Sequence, residues 1–125
     1  MSYLTEVKWD KNGLVPAVSQ DFASGKVLTL AWMNEDALKA TVAEGRVVYW
    51  SRSRKSLWRK GEQSGFIQKV RELRIDCDGD SILLIVELTE PIACHTGRAT
   101  CFYKRYQADS WLVTEPVIKD PTDIY

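Results

Sequence analysis

Val27-Leu28-Thr29-Leu30-Ala31-Trp32-Met33, running straight into Asn34-Glu35-Asp36-Ala37-Leu38 and on to Gly45, is the stretch that decides the fold. Its first part reads as a buried strand, and its second as a helix with both ends marked. Asn34 is a good N-cap, Glu35 and Asp36 suit the positive end of the helix dipole, and Gly45 is a natural stop. Leu38 and Val42 stack one turn apart on the apolar side. Downstream, Val47-Val48-Tyr49-Trp50-Ser51 is β-branched and aromatic, hence a strand, and Gly61-Glu62-Gln63-Ser64-Gly65 is a loop on composition. Leu73, Ile75 and Cys77 alternate with Glu72, Arg74 and Asp76, the pattern of a half-buried strand. Val70 and Arg71 fall out of that phase and predict a bulge. Ser81 to Leu88 is apolar on both faces, as a central or interface strand must be. Pro91 ends it, Cys94-His95-Thr96-Gly97 is a turn, and Thr100 to Tyr106 is expected to return as a strand. Upstream, Asn12-Gly13 and Pro16 punctuate a polar segment. One helix among about five strands predicts an α+β fold, mostly antiparallel, with a barrel-like sheet.

The 125 residues fit one domain, 1–125, large enough to bury a core without disulfides. Seventeen basic and seventeen acidic side chains cancel, which removes the electrostatic case for binding nucleic acid or an anionic membrane. No basic segment followed by an apolar one opens the sequence, and no apolar run approaches the ~18 residues that span a bilayer. A cytoplasmic protein is expected, and there an odd number of cysteines points to metal binding or catalysis before disulfides.

All three cysteines and the single histidine lie between Cys77 and Cys101. Three thiolates give zinc three protein ligands and leave a fourth position for water, the open arrangement of catalytic sites. The spacing lacks a Cys-x-x-Cys pair, so three buried cysteines acting as small apolar residues remain the competing reading. Neighbours on an extended chain point to opposite sides, which separates His95 from Cys94 and leaves it free to act as a general base or acid. Asp76, Asp78 and Asp80 recur at every second residue. Carboxylates so close repel unless a cation neutralises them. An EF-hand loop is excluded, because Ser81 stands where its turn glycine belongs and a strand follows where it needs a helix. A solvent-facing acidic turn is the plainer alternative. Between Ser51 and Lys60, the basic residues Arg52, Arg54, Lys55, Arg59 and Lys60 could hold phosphates, with Trp50 and Trp58 as stacking faces. Such runs are more often a solvated edge. Thr96, in its turn, could take a phosphate oxygen.

Three segments together, Trp58-Arg59-Lys60-Gly61-Glu62-Gln63-Ser64-Gly65, Asp76-Cys77-Asp78-Gly79-Asp80 and Ala93-Cys94-His95-Thr96-Gly97 with Cys101-Phe102-Tyr103, resemble the signature of the phosphoribosyl-AMP cyclohydrolases of histidine biosynthesis. The resemblance extends over residues 15–107, leaving 108–125 as a tail. It implies hydrolysis of the N1–C6 bond in the adenine ring of 1-(5-phosphoribosyl)-AMP. It implies zinc on Cys77, Cys94 and Cys101, and magnesium on Asp76, Asp78 and Asp80. It further implies an intertwined homodimer that shares one zinc per subunit, Cys77 of one chain joining Cys94 and Cys101 of the other. His95 is then the candidate for proton transfer. Arg52, Arg54, Trp58, Arg59, Lys60, Glu62, Ser64 and Thr96 are candidates for binding the nucleotide. Two departures stand out: Phe66 lies where the family often has histidine, and Thr100 where it often has serine. No pyrophosphohydrolase domain accompanies the motifs, so a monofunctional enzyme is expected. A non-catalytic, zinc-stabilised nucleotide-binding module is the alternative.

Overall fold

The computed structural model describes residues 2–124. Its order is β1 (Val15–Asp21), β2 (Val27–Met33), α1 (Glu35–Glu44), β3 (Val48–Ser51), β4 (Ser56–Arg59), β5 (Gln68–Ile75), β6 (Ile82–Leu88), β7 (Lys104–Gln107), β8 (Ser110–Val113) and a 3-10 turn at Pro121–Asp123. β2, β1, β6 and β5 form one sheet in that order, and β3–β4 and β7–β8 are two separate hairpins. Every pairing is antiparallel except that of β1 with β6. The architecture is therefore α+β with one α-helix among the described residues.

The expected barrel-like closure does not occur. β2 and β5 are the outer strands of the four-stranded sheet and do not pair with each other. Instead the chain leaving the helix crosses the outer side of β5, where Val70 N–H donates to Gly45 O and Val47 N–H donates to Gln68 O. That edge is covered by a short crossing segment, which is one of the ways a sheet is ended without closing it.

Local chemistry explains the elements that hold. Asn34 Oδ1 accepts from Ala37 N–H at 2.9 Å, and Gly45 takes the left-handed conformation at φ 71° while its N–H donates to Thr41 O. Thr41 ties the helix to β3, because its buried hydroxyl accepts from Val48 N–H at 3.0 Å and lies within hydrogen-bonding distance of Ala37 O and Val48 O. β6 is central as its two-sided apolarity requires, with Ile82, Leu84 and Val86 buried. The register of β5 on β6 skips between Val70 and Glu72, so the predicted bulge falls at Arg71. Past it the expected half-buried face fails: Leu73 is half-buried, but Ile75 and Cys77 are exposed.

Two other expectations need correction. The segment upstream of Val27 contains β1, an inner strand with Val15 and Ala17 buried in the core. Pro16 is tolerated because the pairing with β6 begins only at Ala17, leaving Pro16 with a neighbour on one side. The strand expected from Thr100 begins at Lys104. Residues 100–103 instead lie irregularly against β2, with Cys101 N–H donating to Leu28 O at 2.7 Å and the Thr100 hydroxyl to Val27 O at 2.7 Å. β7 and β8 cross the expected tail boundary after residue 107, turning at Ala108 and Asp109, whose φ angles of 51° and 63° give the hairpin its left-handed corner.

Candidate active site

Cys94 and Cys101 approach each other where the turn after Ile92 and the irregular segment 100–103 meet the face of β2. Cys94 is buried and Cys101 half-buried. Each thiol has a threonine hydroxyl: Thr96 Oγ1 donates to Cys94 Sγ at 3.1 Å, and Thr29 Oγ1 lies 3.4 Å from Cys101 Sγ. Burial pushes the Cys101 thiol above its ordinary value, with the neighbouring Cys94 adding to the effect and Thr29 and Lys60 opposing it. Thr100, for its part, supports the backbone through its hydroxyl and leaves the sulfur alone.

The loop between the two cysteines is strapped from outside. Gly97 sits at φ 83°, and its carbonyl accepts from Ile118 N–H at 2.8 Å and Lys119 N–H at 3.3 Å. Arg98 Nε donates to Glu115 O at 2.9 Å, and Lys26 holds the Glu115 side chain at 2.8 Å. The last residues therefore pack over the cysteine loop, a role that no periodicity in the tail announced.

Cys77 is elsewhere. It is exposed in the acidic turn after β5, and among the described residues the three thiols do not gather into one ligand group. The turn does gather Asp76, Asp78 and Asp80, whose carboxylates come within 4.8 Å of one another and are exposed. A turn brings them together. Gly79 at φ 76° makes its corner, and Asp76 Oδ1 accepts from Asp80 N–H at 3.0 Å. Some burial opposes ionisation of Asp76, but the amides of Asp80, Gly79 and Ser81 hold it below its ordinary value. Asp80 is raised by its hydrogen bond to Asp76 and by the Asp76 charge. Mutual repulsion relieved by one hard cation is the arrangement such a cluster offers.

His95 is exposed beside buried Cys94, at the corner of the turn that Gly97 N–H closes on Cys94 O at 2.9 Å, and lines a cavity of about 310 Å³. Arg54, Trp58, Lys60, Glu62 and Ser64 line the same cavity. A second cavity of about 630 Å³ adjoins it, sharing Arg54 and Trp58 and adding Arg52, Trp32 and Trp50. Trp58 stands between the two as a wedge, with its ring 5.5 Å from that of buried Tyr49. Arg52 lies over Trp32 at 4.6 Å. Trp32 was hidden in sequence because a tryptophan in an apolar strand reads as core. Two candidates stand apart. Arg59 faces the helix, where its Nη2 and Nε donate to the Glu44 carboxylate at 2.8 to 3.2 Å. The hydroxyl of Thr96 is given to Cys94. Phe66 is buried outside the cavity wall, its backbone so close to Gly61 that a Cβ there would fall 2.5 Å from Phe66 C.

The donor sets suit two kinds of ion: soft thiols for zinc, and clustered exposed carboxylates for a hard divalent cation. No helix among the described residues is long and apolar enough to cross a membrane.

Comparison with known proteins meets this geometry. The family model for phosphoribosyl-AMP cyclohydrolase matches residues 29–103, the span from Thr29 to the last cysteine and its neighbours. The chain is 57% identical over 123 residues to phosphoribosyl-AMP cyclohydrolase 1 of Pseudomonas fluorescens, covering 98% of this chain and 95% of the relative. It is 58% identical over 124 residues to the phosphoribosyl-AMP cyclohydrolase of an Azoarcus species, with 98% and 95% covered. With that of Nitrosospira multiformis the identity is 57% over 124 residues, with 99% and 95% covered. A match of this extent, carrying every cysteine of the chain, places the protein in the phosphoribosyl-AMP cyclohydrolase family.

Proposed function

We propose that this chain hydrolyses the N1–C6 bond of the adenine ring in 1-(5-phosphoribosyl)-AMP, in the cytoplasm, as a homodimer with zinc bound between subunits. The observation that carries the reading is the division of the cysteines. Cys94 and Cys101 lie together beside a cavity edged by the chain's one histidine, while Cys77 is exposed on a separate turn, free to reach a second copy. Two thiols make an incomplete zinc site, and the partner's Cys77 supplies the third. Asp76, Asp78 and Asp80, which flank Cys77 in sequence, would hold a magnesium ion. Zinc, when bound, supplies Lewis acidity and a water whose pKa falls toward ~7.

The chain's own residues do the rest. Thr96 and Thr29 orient the thiols. Trp58 presents a face to the purine between the two cavities, and Arg52 and Arg54 meet the phosphates. Glu62 and Ser64 offer polar contacts to the sugar hydroxyls on the cavity wall. Phosphoribosylation at N1 leaves C6 electron-poor. A water oxygen adds to C6, and His95 takes one of that water's protons and passes it to N1 as the C6–N1 bond breaks. The oxygen's remaining proton goes to the exocyclic imino nitrogen, so that the oxygen ends as the carbonyl of the carboxamide, and N1 leaves as an N–H within the amidine arm. With Phe66 in place of a second histidine, His95 is the only imidazole available for the transfer.

Hydrolysis of phosphoribosyl-AMP followed by absorbance tests the proposal, with protein as purified, stripped by a zinc chelator, and resupplied with zinc and magnesium. Turnover lost on stripping and regained on resupply is expected. Nucleotide binding without turnover from zinc-loaded protein would leave a zinc-stabilised binding module in its place. His95→Ala should keep its zinc and lose turnover; near wild-type turnover would remove the histidine from the mechanism.

A further inference from the structure

The hairpin of β7 and β8 has two unlike faces. Cross-strand partners share a face, so the paired Tyr106 and Trp111 lie on one side with Lys104 and Val113, while Arg105–Leu112 and Gln107–Ser110 lie on the other. The Tyr106 and Trp111 rings meet edge to face at 6.0 Å. Alternation of this kind marks a face that packs on a core. Yet every residue of both strands is exposed, with Tyr106, Trp111 and Val113 at 59%, 69% and 55%. Among the described residues the hairpin pairs with no other strand. Two strands alone are marginally stable in water, and an uncovered apolar face marks an interaction surface.

A surface that matches it lies elsewhere on the same chain. Tyr3, Val7, Leu38, Val42, Leu73 and Ile75 line an apolar groove of about 230 Å³, and no hairpin residue is among those lining it. Residues 100–103, from which the hairpin springs, are held to Val27 and Leu28 at the start of β2. Ile75, at the end of β5, lies in register through Ile82 and Ala17 with Ala31, near the other end of β2. Hairpin and groove therefore sit at diagonally opposite corners of the four-stranded sheet. Charge divides the same way: Lys104 flanks the apolar face of the hairpin, and the acidic turn of Asp76, Asp78 and Asp80 begins one residue beyond Ile75. Arg74, on the groove wall, is already paired with Glu72.

We infer that the Tyr106–Trp111 face of each hairpin docks into the Leu73–Ile75 groove of a second copy of this chain. This deepens the homodimer reading above and rests on it. The exchange is reciprocal, so a single two-fold axis covers both hairpins and fills both grooves. Lys104 then comes beside the acidic turn of the partner subunit. Because Lys104 is three residues after Cys101 and Cys77 is two after Ile75, the docked hairpin also brings the cysteine-bearing segments of the two copies together.

Sedimentation equilibrium of the full chain, with zinc and magnesium present, tests the inference on wild type, Trp111→Asp on the apolar hairpin face, Ile75→Asp in the groove and Leu112→Asp on the opposite hairpin face. Wild type should be a dimer; a monomer would overturn the homodimer reading and this inference together. Trp111→Asp and Ile75→Asp should each weaken association by roughly 100- to 1,000-fold, since each change falls at two symmetry-related contacts. Leu112→Asp should stay within about threefold of wild type. Unchanged dimerisation in Trp111→Asp would sink this inference alone. Weakening by Trp111→Asp but not by Ile75→Asp would overturn the groove as the seat of the hairpin. Should either variant fail to fold, isotope-filtered NOE spectra of mixed labelled and unlabelled wild type decide the matter. Contacts between copies from the Trp111 ring to the Leu73 and Ile75 methyls are expected, and a dimer without them would overturn the proposal.

Discussion

Replacing Gly97 with alanine should release the terminal strap from the cysteine loop while leaving the main sheet intact. The residue sits at φ 83°, and a Cβ built on it would fall 1.8 Å from Lys119 O and 3.0 Å from Lys119 C. Both are backbone atoms, so no side-chain rotation relieves the overlap. The strap must move, breaking the bonds from Ile118 N–H and Lys119 N–H to Gly97 O. Each such bond is worth about 1 kcal/mol net, and a left-handed alanine costs about 1 kcal/mol or more. The sum is roughly 2–4 kcal/mol, which at 1.4 kcal/mol per decade is a 30- to 700-fold shift in the strap's opening equilibrium. Amide exchange at Ile118 and Lys119 reads that shift directly. Gly65→Ala is the control, since Gly65 has a similar φ of 80° but nothing within 4 Å of its added Cβ. Ile118 protection within threefold of wild type in Gly97→Ala would refute the claim that this contact holds the strap.

Thr41→Val should destabilise the protein by about 1–3 kcal/mol in urea unfolding, because Val48 N–H is left buried without an acceptor; no measurable change would mean that the helix is held on β3 by packing alone. Arg59→Ala should leave turnover, KM and melting temperature near wild type, since the Glu44 pair lies at the surface and away from the cavity. A large rise in KM would return Arg59 to the nucleotide site. The Thr122 amide holds the Asp120 carboxyl below its ordinary value of 3.8. A depressed folded value means that the stabilisation is present above the unfolded pKa and is lost as pH falls through the folded one. The turn at Pro121–Asp123 should therefore loosen below pH 3.8, seen as faster exchange at Thr122, and Asp120→Asn should remove that pH dependence.

What could be read in the sequence was what local chemistry decides. Asn34 and Gly45 bound the helix because one side-chain acceptor and one left-handed residue suffice, and the bulge at Arg71 showed because a single extra residue inverts the alternation. β1 was missed because Pro16 and a polar neighbourhood argue against a strand whose support comes from β6, far along the chain. The hairpin after Lys104 was missed because Ala108 and Asp109 make its left-handed corner without glycine. At the site, ligand types were legible from residue identity, and the grouping of Cys94 with Cys101 apart from Cys77 came only with the family resemblance. The separation of Cys77, the inward turn of Lys60 and the commitment of Arg59 to Glu44 are tertiary facts. No spacing along the chain encodes them.

Subunit mixing tests the proposed metal site completed by a second copy. Cys77→Ser and Cys94→Ser proteins should each be inactive toward phosphoribosyl-AMP. Unfolded together and refolded in equal amounts with zinc, they should recover about a quarter of wild-type turnover, because half the dimers are mixed and each mixed dimer holds one intact site of two. No recovery from mixed dimers that form and bind zinc would contradict the shared site and place all the ligands within one chain.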